Sequence, residues 1–243
     1  MIKTVGIVGY GNFGQFVHLL GQKFFPDFEF KIFSNRSKID RETFFSLEEV
    51  GESDILIMCG SIAGYEEQLK IVLPLISEST IVVDVATVKK HTVDLLRENI
   101  GAGKFISTHP MFGPESYKKH NENVDGFRIV VADHNLDEFE YQNIKSLFTN
   151  FGFLVIEMSA YEHDKILAET LFLTHYVGQS IIKAGFSRTA IDTLSFQFLM
   201  DAVESVKDDK KLFADVYKFN PYCEAVAARL HKAQEEVFQI VKK

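Results

Sequence analysis

The stretch KTVGIVGYGNFG, Lys3 to Gly14, runs an apolar strand into three glycines and then into a helix predicted to begin near Asn12. The spacing of Gly9, Gly11 and Gly14 permits a tight turn and close approach of a pyrophosphate. The helix start adds free N–H groups and the positive end of its dipole. A glycine triplet alone says little. Set between a strand and a helix, it reads as the first β–α unit of a dinucleotide-binding sheet, with Gly9, Gly11, Asn12, Phe13 and Gly14 as the cofactor loop.

Outward from that loop, short β-rich runs alternate with helical stretches through two-thirds of the chain. Strands are predicted at Lys3–Val8, Glu29–Phe33, Asp54–Met58, Ile81–Asp84, Lys104–Ser107, Phe127–Val131 and Phe153–Glu157. Runs such as ILIM and IVVDV are nearly all apolar, as in strands covered by helices on both faces. Tyr65–Ile76 and Leu136–Asn150 carry helical spacing. The fold class is therefore α/β, with a Rossmann-type, doubly wound and mostly parallel sheet. Beyond about Met158 the β signal stops. Ala160–Gly185, Thr189–Ser205 and Asn220–Val241 read as helices, with Gly185 ending the first and Lys207–Lys211 as a connection. Residues 1–158 are thus expected to form a dinucleotide-binding domain and 159–243 a small helical substrate and dimerisation domain. Helices so apolar in so small a domain need a partner surface, so a homodimer through them is expected.

Composition narrows the function. The 243 residues carry a formal charge of −8 with no block of Lys and Arg. That argues against a nucleic acid or an anionic membrane as partner. Cys59 and Cys223 are far apart and lack zinc-ligand spacing, so free thiols in a reducing compartment and no metal are expected. No apolar run approaches the ~20 residues that span a bilayer. The first strand starts almost at Met1, which leaves no room for a targeting peptide, and a cytoplasmic location is expected.

In a parallel sheet the residues just past each strand collect along one edge, where ligands bind. Here these are Gly9–Gly14, then Ser34, Asn35, Arg36 and Ser37, then Cys59 and Ser61, then Thr87 and Lys89, then His109. An NAD site would carry Asp or Glu after the second strand to hold both ribose hydroxyls. This chain has Arg36 among small polar residues, which suits the 2′-phosphate of NADP, and NAD is the less favoured cofactor. His109 opens the segment THPMFGPES, Thr108 to Ser116, and is the acid–base candidate because imidazole titrates near neutral pH. Thr87 could orient a substrate hydroxyl or the nicotinamide amide. Lys89 could attract a carboxylate, although spacing does not decide whether Lys89 or Lys90 points inward. In the first C-terminal helix, His163 and Asp164 lie near its start, and His175 shares an apolar stripe with Ala168, Leu171 and Gly178.

These segments resemble the prephenate/arogenate dehydrogenases of tyrosine biosynthesis, particularly the compact plant-type arogenate dehydrogenases. THPMFGPES is similar to that family's histidine loop, GYGNFGQF to its nucleotide fingerprint, and DVATVK at 84–89 to its D-x-x-S-V-K segment. EHDK at 162–165 with THYVG at 174–178 resembles its substrate-facing helix. The resemblance implies oxidative decarboxylation of a small molecule, arogenate or prephenate, giving tyrosine or 4-hydroxyphenylpyruvate. In that reaction hydride passes to C4 of NADP while His109 accepts the ring hydroxyl's proton. It also implies that Thr87, Lys89, His175 and His163 face substrate, and that Asp208, with Asp209 beside it, pairs with the ammonium of arogenate. No arginine stands between Thr189 and Ala228, where many prephenate-specific members carry one; Glu204 occupies that neighbourhood. Two other readings use the same chain. A β-hydroxyacid dehydrogenase-like enzyme would employ Lys165 or Lys183, and a non-catalytic NADP-sensing module would need only the glycine loop and Arg36.

Overall fold

Seven strands form one sheet: β1 (Thr4–Val8), β2 (Glu29–Phe33), β3 (Ile55–Met58), β4 (Ile81–Asp84), β5 (Lys104–Pro110), β6 (Arg128–His134) and β7 (Leu154–Glu157). Their spatial order is β2-β1-β3-β4-β5-β6-β7. The structure, a computed structural model, describes residues 3–242. It divides into two compact units, Met1–Ala160 and Tyr161–Lys243.

Strands β1 to β5 run parallel, and β7 is parallel to β6. The junction of β5 with β6 is antiparallel. The doubly wound, mostly parallel sheet expected from the sequence is therefore present, with its last two strands reversed. Fully buried Ile7, Ile32, Leu56, Val82 and Phe105 line the strands. Around them pack α1 (Asn12–Phe24), α2 (Leu47–Gly51), α3 (Tyr65–Val72), α4 (Lys89–Asn99), α5 (Pro114–Lys119) and α6 (Glu138–Asn150). The starts of α2 and α6 are fixed by reciprocal capping boxes, Ser46 with Glu49 and Asp137 with Glu140.

One strand differs in a way that matters. The expected β5, Lys104–Ser107, covers only the part paired with β4, whose ladder ends at Asp84 opposite Ser107. Antiparallel pairing with β6 carries β5 on to Pro110, with a register shift between Ser107 and Thr108. His109 therefore lies within the strand, opposite Val130, rather than just beyond it.

The second unit is helical. α7 (Ala160–Leu167) continues through a π turn, Ala168–Phe172, into α8 (Leu173–Lys183). Gly185, at φ 81°, ends that helix, and the Phe186 N–H closes back on the Ile181 carbonyl at 3.3 Å. α9 (Leu194–Val206) starts later than the predicted Thr189. The backbone N–H and hydroxyl of Thr189 both bind the Asp192 carboxylate at 2.8 Å, which holds a turn there. The Thr193 hydroxyl then caps the helix by accepting the Phe196 N–H. The predicted connection Lys207–Lys211 is also shorter, because α10 (Lys210–Phe219) begins within it. α11 (Cys223–Val241) completes the chain's elements.

Candidate active site

The glycine loop follows the end of β1, next to β3, at the point where successive connections leave in opposite directions along the sheet. Gly9 has φ 101°, and its N–H donates to the Phe33 carbonyl at 2.9 Å. A Cβ on Gly9 would stand 2.9 Å from the Cys59 carbonyl carbon, and one on Gly14 2.2 Å from the Gly9 carbonyl oxygen. Both glycines are thus required by the protein itself. Gly11 is different, since a Cβ there would meet nothing within 4 Å. It caps α1 without a side chain, so the first N–H groups, at Asn12, Phe13 and Gly14, receive no side-chain acceptor from it. An open glycine at an uncapped helix start fits a pyrophosphate.

The neighbouring loops complete this edge. Cys59 donates its N–H to the Val8 carbonyl at 2.8 Å, which ties the β3 loop to the end of β1. Ser61, half-buried, precedes a short 3-10 turn. Ser34 to Ser37 form a turn in which the Ser34 hydroxyl accepts the Arg36 N–H at 3.3 Å. Asn35 and Arg36 are exposed, and Arg36 makes no ion pair among the described residues.

Thr87 is half-buried in the loop between β4 and α4. The two lysines that follow are now distinguished. Lys90 is half-buried and pairs with Asp94 at 2.6 Å. Lys89 is fully buried, with its ammonium 2.6 Å from the Asp84 carboxylate, 2.6 Å from the Thr108 carbonyl and 3.3 Å from the Ser107 hydroxyl. The expectation that Lys89 attracts a substrate carboxylate is corrected. Three internal acceptors engage its three N–H donors.

His109 is buried, at 6% exposure. Its following loop is held by aromatic stacking rather than by length alone. Phe112 lies 4.8 Å from Phe127 with the rings 4° from parallel, and 5.4 Å from Phe153. The Met111 N–H donates to the Arg128 carbonyl at 2.9 Å, and Gly113 donates to the Ser116 hydroxyl at 2.8 Å as α5 begins at Pro114. Pro110 thus ends β5, and Gly113 and Pro114 open α5, which leaves a short connection after the histidine.

Within the helical unit, buried His163 places Nδ1 2.8 Å from the Asp164 carboxylate, and Asn220 donates to the Asp164 carbonyl at 2.8 Å. His175 is buried, stacks on Phe213, and its Nδ1 has no hydrogen-bond partner among the described residues. Burial lowers its pKa, opposed by the nearby charge of Asp209. The π turn decides which face these histidines share. At α-helical pitch, residues 163 and 175 would stand about 120° apart; a π turn absorbs one residue and brings them within about 20°. Both consequently fall on the buried stripe with Leu167, Ala168 and Phe172. Asp208 is exposed in the turn before α10, and the acidic residue whose charge reaches His175 is Asp209. Glu204 is engaged by Arg188 at 2.6 Å. Lys165 and Lys183 are exposed, away from that stripe.

The sheet order, the switch-point glycines and the uncapped start of α1 define a doubly wound dinucleotide-binding fold. The family described as the prephenate dehydrogenase nucleotide-binding domain matches residues 35–135. Arogenate dehydrogenase 1, chloroplastic, of Arabidopsis thaliana is 32% identical over 96% of this chain, and Arogenate dehydrogenase 2, chloroplastic, of the same plant is 28% identical over 96%. This chain spans 38% and 68% of those two proteins. The prephenate dehydrogenase of A. aeolicus, solved with hydroxyphenyl propionate and NAD+, superimposes with a TM-score of 0.78 at 18% identity, covering 99% of this chain and 91% of that one. The Synechocystis arogenate dehydrogenase gives 0.70 at 18% identity, over 99% and 91%. Over residues 35–135 the chain carries the nucleotide-binding domain described for prephenate dehydrogenase, and along its length it is similar to plant arogenate dehydrogenases.

Proposed function

We propose that this chain catalyses the NADP-dependent oxidative decarboxylation of arogenate or prephenate. The observation that carries the reading is the placement of a buried histidine at the same sheet edge as a glycine loop whose middle glycine faces open space at a helix start. The nucleotide, when bound, supplies the hydride acceptor at nicotinamide C4. His109 takes the proton of the ring hydroxyl, and loss of carbon dioxide leaves an aromatic ring. Thr87 orients the hydroxyl or the carboxamide. His175 is assigned to substrate binding, which gives its solitary Nδ1 a partner; left unmade, that bond costs about 1–3 kcal/mol. His163 is held by Asp164 for the same task. Of the acidic pair, Asp208 is free to turn toward an ammonium, while Asp209 adds negative potential beside His175.

Purified protein incubated with arogenate or prephenate and with NADP+ or NAD+ should produce reduced-nucleotide absorbance, with NADP+ the better acceptor. Arg36→Ala should raise the KM for NADP+ about 10- to 100-fold and leave that for NAD+ nearly unchanged, as expected for a lost charge-assisted pair. Equal weakening of both nucleotides would refute the 2′-phosphate assignment, and no absorbance with any combination would refute the activity.

The helical unit is proposed to pair with a second copy. Phe186, Ile191, Leu194 and Phe198 are each more than 60% exposed within one short segment, and Ile240 and Val241 are 70% and 74% exposed at the end of α11. Apolar side chains gathered in this way mark association surfaces. Light scattering should give a dimer mass, and Leu194→Asp with Phe198→Asp should halve it at unchanged helix content. A monomeric wild-type protein would exclude the pairing.

A further inference from the structure

Asp84 and Lys89 sit beside the histidine without being exposed to any ligand. Both side chains have 0% exposure. The Asp84 carboxylate accepts from the Ala86 N–H at 2.9 Å on one oxygen. Its other oxygen accepts from the Lys89 ammonium at 2.6 Å, the Thr92 hydroxyl at 2.6 Å and the Ser107 hydroxyl at 2.7 Å. The network thereby joins the end of β4, the first turn of α4 and the middle of β5. A buried ion pair is a poor way to gain stability, since desolvation offsets much of the attraction and apolar residues of similar volume commonly serve as well. Its position is more informative than its strength.

That position is the register shift between β5 and β6. The shift falls between Ser107 and Thr108, where the parallel ladder with β4 ends and the strand is carried on by β6. The extra residue of the shift, Ala132, lies on β6, so past Ser107 the backbone of β5 is held by a strand on its β6 side only. The first side chain after Thr108 is His109. Thr108 is itself clamped from two directions. Its carbonyl accepts from the Lys89 ammonium at 2.6 Å, and its hydroxyl donates to the Asp84 carbonyl at 2.9 Å.

We propose that the Asp84–Lys89 pair is a positioning device that holds the Thr108 backbone past the end of the β4 ladder and so aims His109 at its substrate. Both side chains are enclosed by protein; Lys89 acts through the carbonyl of Thr108, and the Asp84 carboxylate acts by holding the Lys89 ammonium. The inference rests on the catalytic assignment of His109.

The test compares wild type with Lys89→Met, Asp84→Asn and the double variant. Each single change strands a buried charge or its partner and should lower Tm. The double change removes both charges and should recover most of that loss. If the pair only stabilises, the double variant should recover turnover too. The positioning role expects its kcat to stay at least tenfold down, with the KM for nucleotide within twofold of wild type. A second readout does not need turnover. The His109 Cε1–H resonance, identified by its loss in His109→Asn, should move or broaden in the double variant. Should the double variant fail to fold, Thr108→Val removes one strap at near-constant volume, and it should shift the same resonance and lower kcat several-fold. Wild-type kcat together with an unmoved His109 signal in the variants overturns the proposal. An inactive wild type would refute the proposed reaction, and the resonance would still decide the positioning role.

Discussion

His109→Asn is expected to lower kcat for arogenate or prephenate by a factor of about 10²–10⁴, the usual contribution of a positioned acid–base group. Asparagine keeps a planar polar group of similar reach, so it can hold a hydrogen bond, but it cannot accept a proton near neutral pH. The backbone of residue 109 stays in the ladder opposite Val130 whatever its side chain. The aromatic stack of Phe112 on Phe127 and Phe153 anchors the loop independently of the imidazole. Fold and nucleotide affinity should consequently remain near wild type, and the loss should appear in the chemical step. Calorimetric titration with NADP+ beside steady-state kinetics separates the two. A variant that binds nucleotide and turns over normally would remove His109 from the reaction. One that fails to bind nucleotide would make its role structural.

The outline of the fold was legible because strand and loop signals are local. The apolar run before Gly9, the glycines themselves and the near-continuous β3 and β4 carry their structure within a few residues. What escaped was set by partners distant in sequence. β5 reads as ending at Ser107 because its own apolar run ends there, and only pairing with β6 extends it through His109. Lys89 reads as a cation facing a substrate carboxylate at the ligand edge, with Lys90 equally placed, since nothing local announces that Asp84 and Thr108 will enclose it. Asp84 carried a signal of its own: an acid ending an otherwise apolar strand must find buried donors. In the helical unit, periodicity placed the long first helix but not its π turn, which inserts a residue without changing composition. α10 is masked in the sequence because Lys207–Lys211 is so charged that it reads as a linker, although Leu212, Phe213 and Val216 behind it follow helical spacing.

Two alanine substitutions in one loop should have opposite signatures, and the contrast tests whether a ligand shaped it. Gly14→Ala would drive a methyl to 2.2 Å from the Gly9 carbonyl oxygen, a backbone atom that cannot swing aside. The start of α1 must then move away from the end of β1, at a cost of about 1–3 kcal/mol typical of overpacking, and nucleotide binding should fail together with stability. Gly11→Ala meets no protein atom within 4 Å, and Gly11 has φ −76°, which alanine adopts freely. Its effect on Tm should correspond to about 1 kcal/mol or less, the scale of a helix-cap change. A methyl there would nevertheless occupy the space through which a pyrophosphate approaches the N–H groups of Asn12 and Phe13, so nucleotide affinity should fall at least tenfold, by about 1.4 kcal/mol or more. Thermal unfolding without nucleotide, paired with titration of NADP+, reads both effects on the same samples. Wild-type affinity in Gly11→Ala would mean that the loop is a glycine-rich turn serving the sheet alone, and the dinucleotide would then have to bind elsewhere.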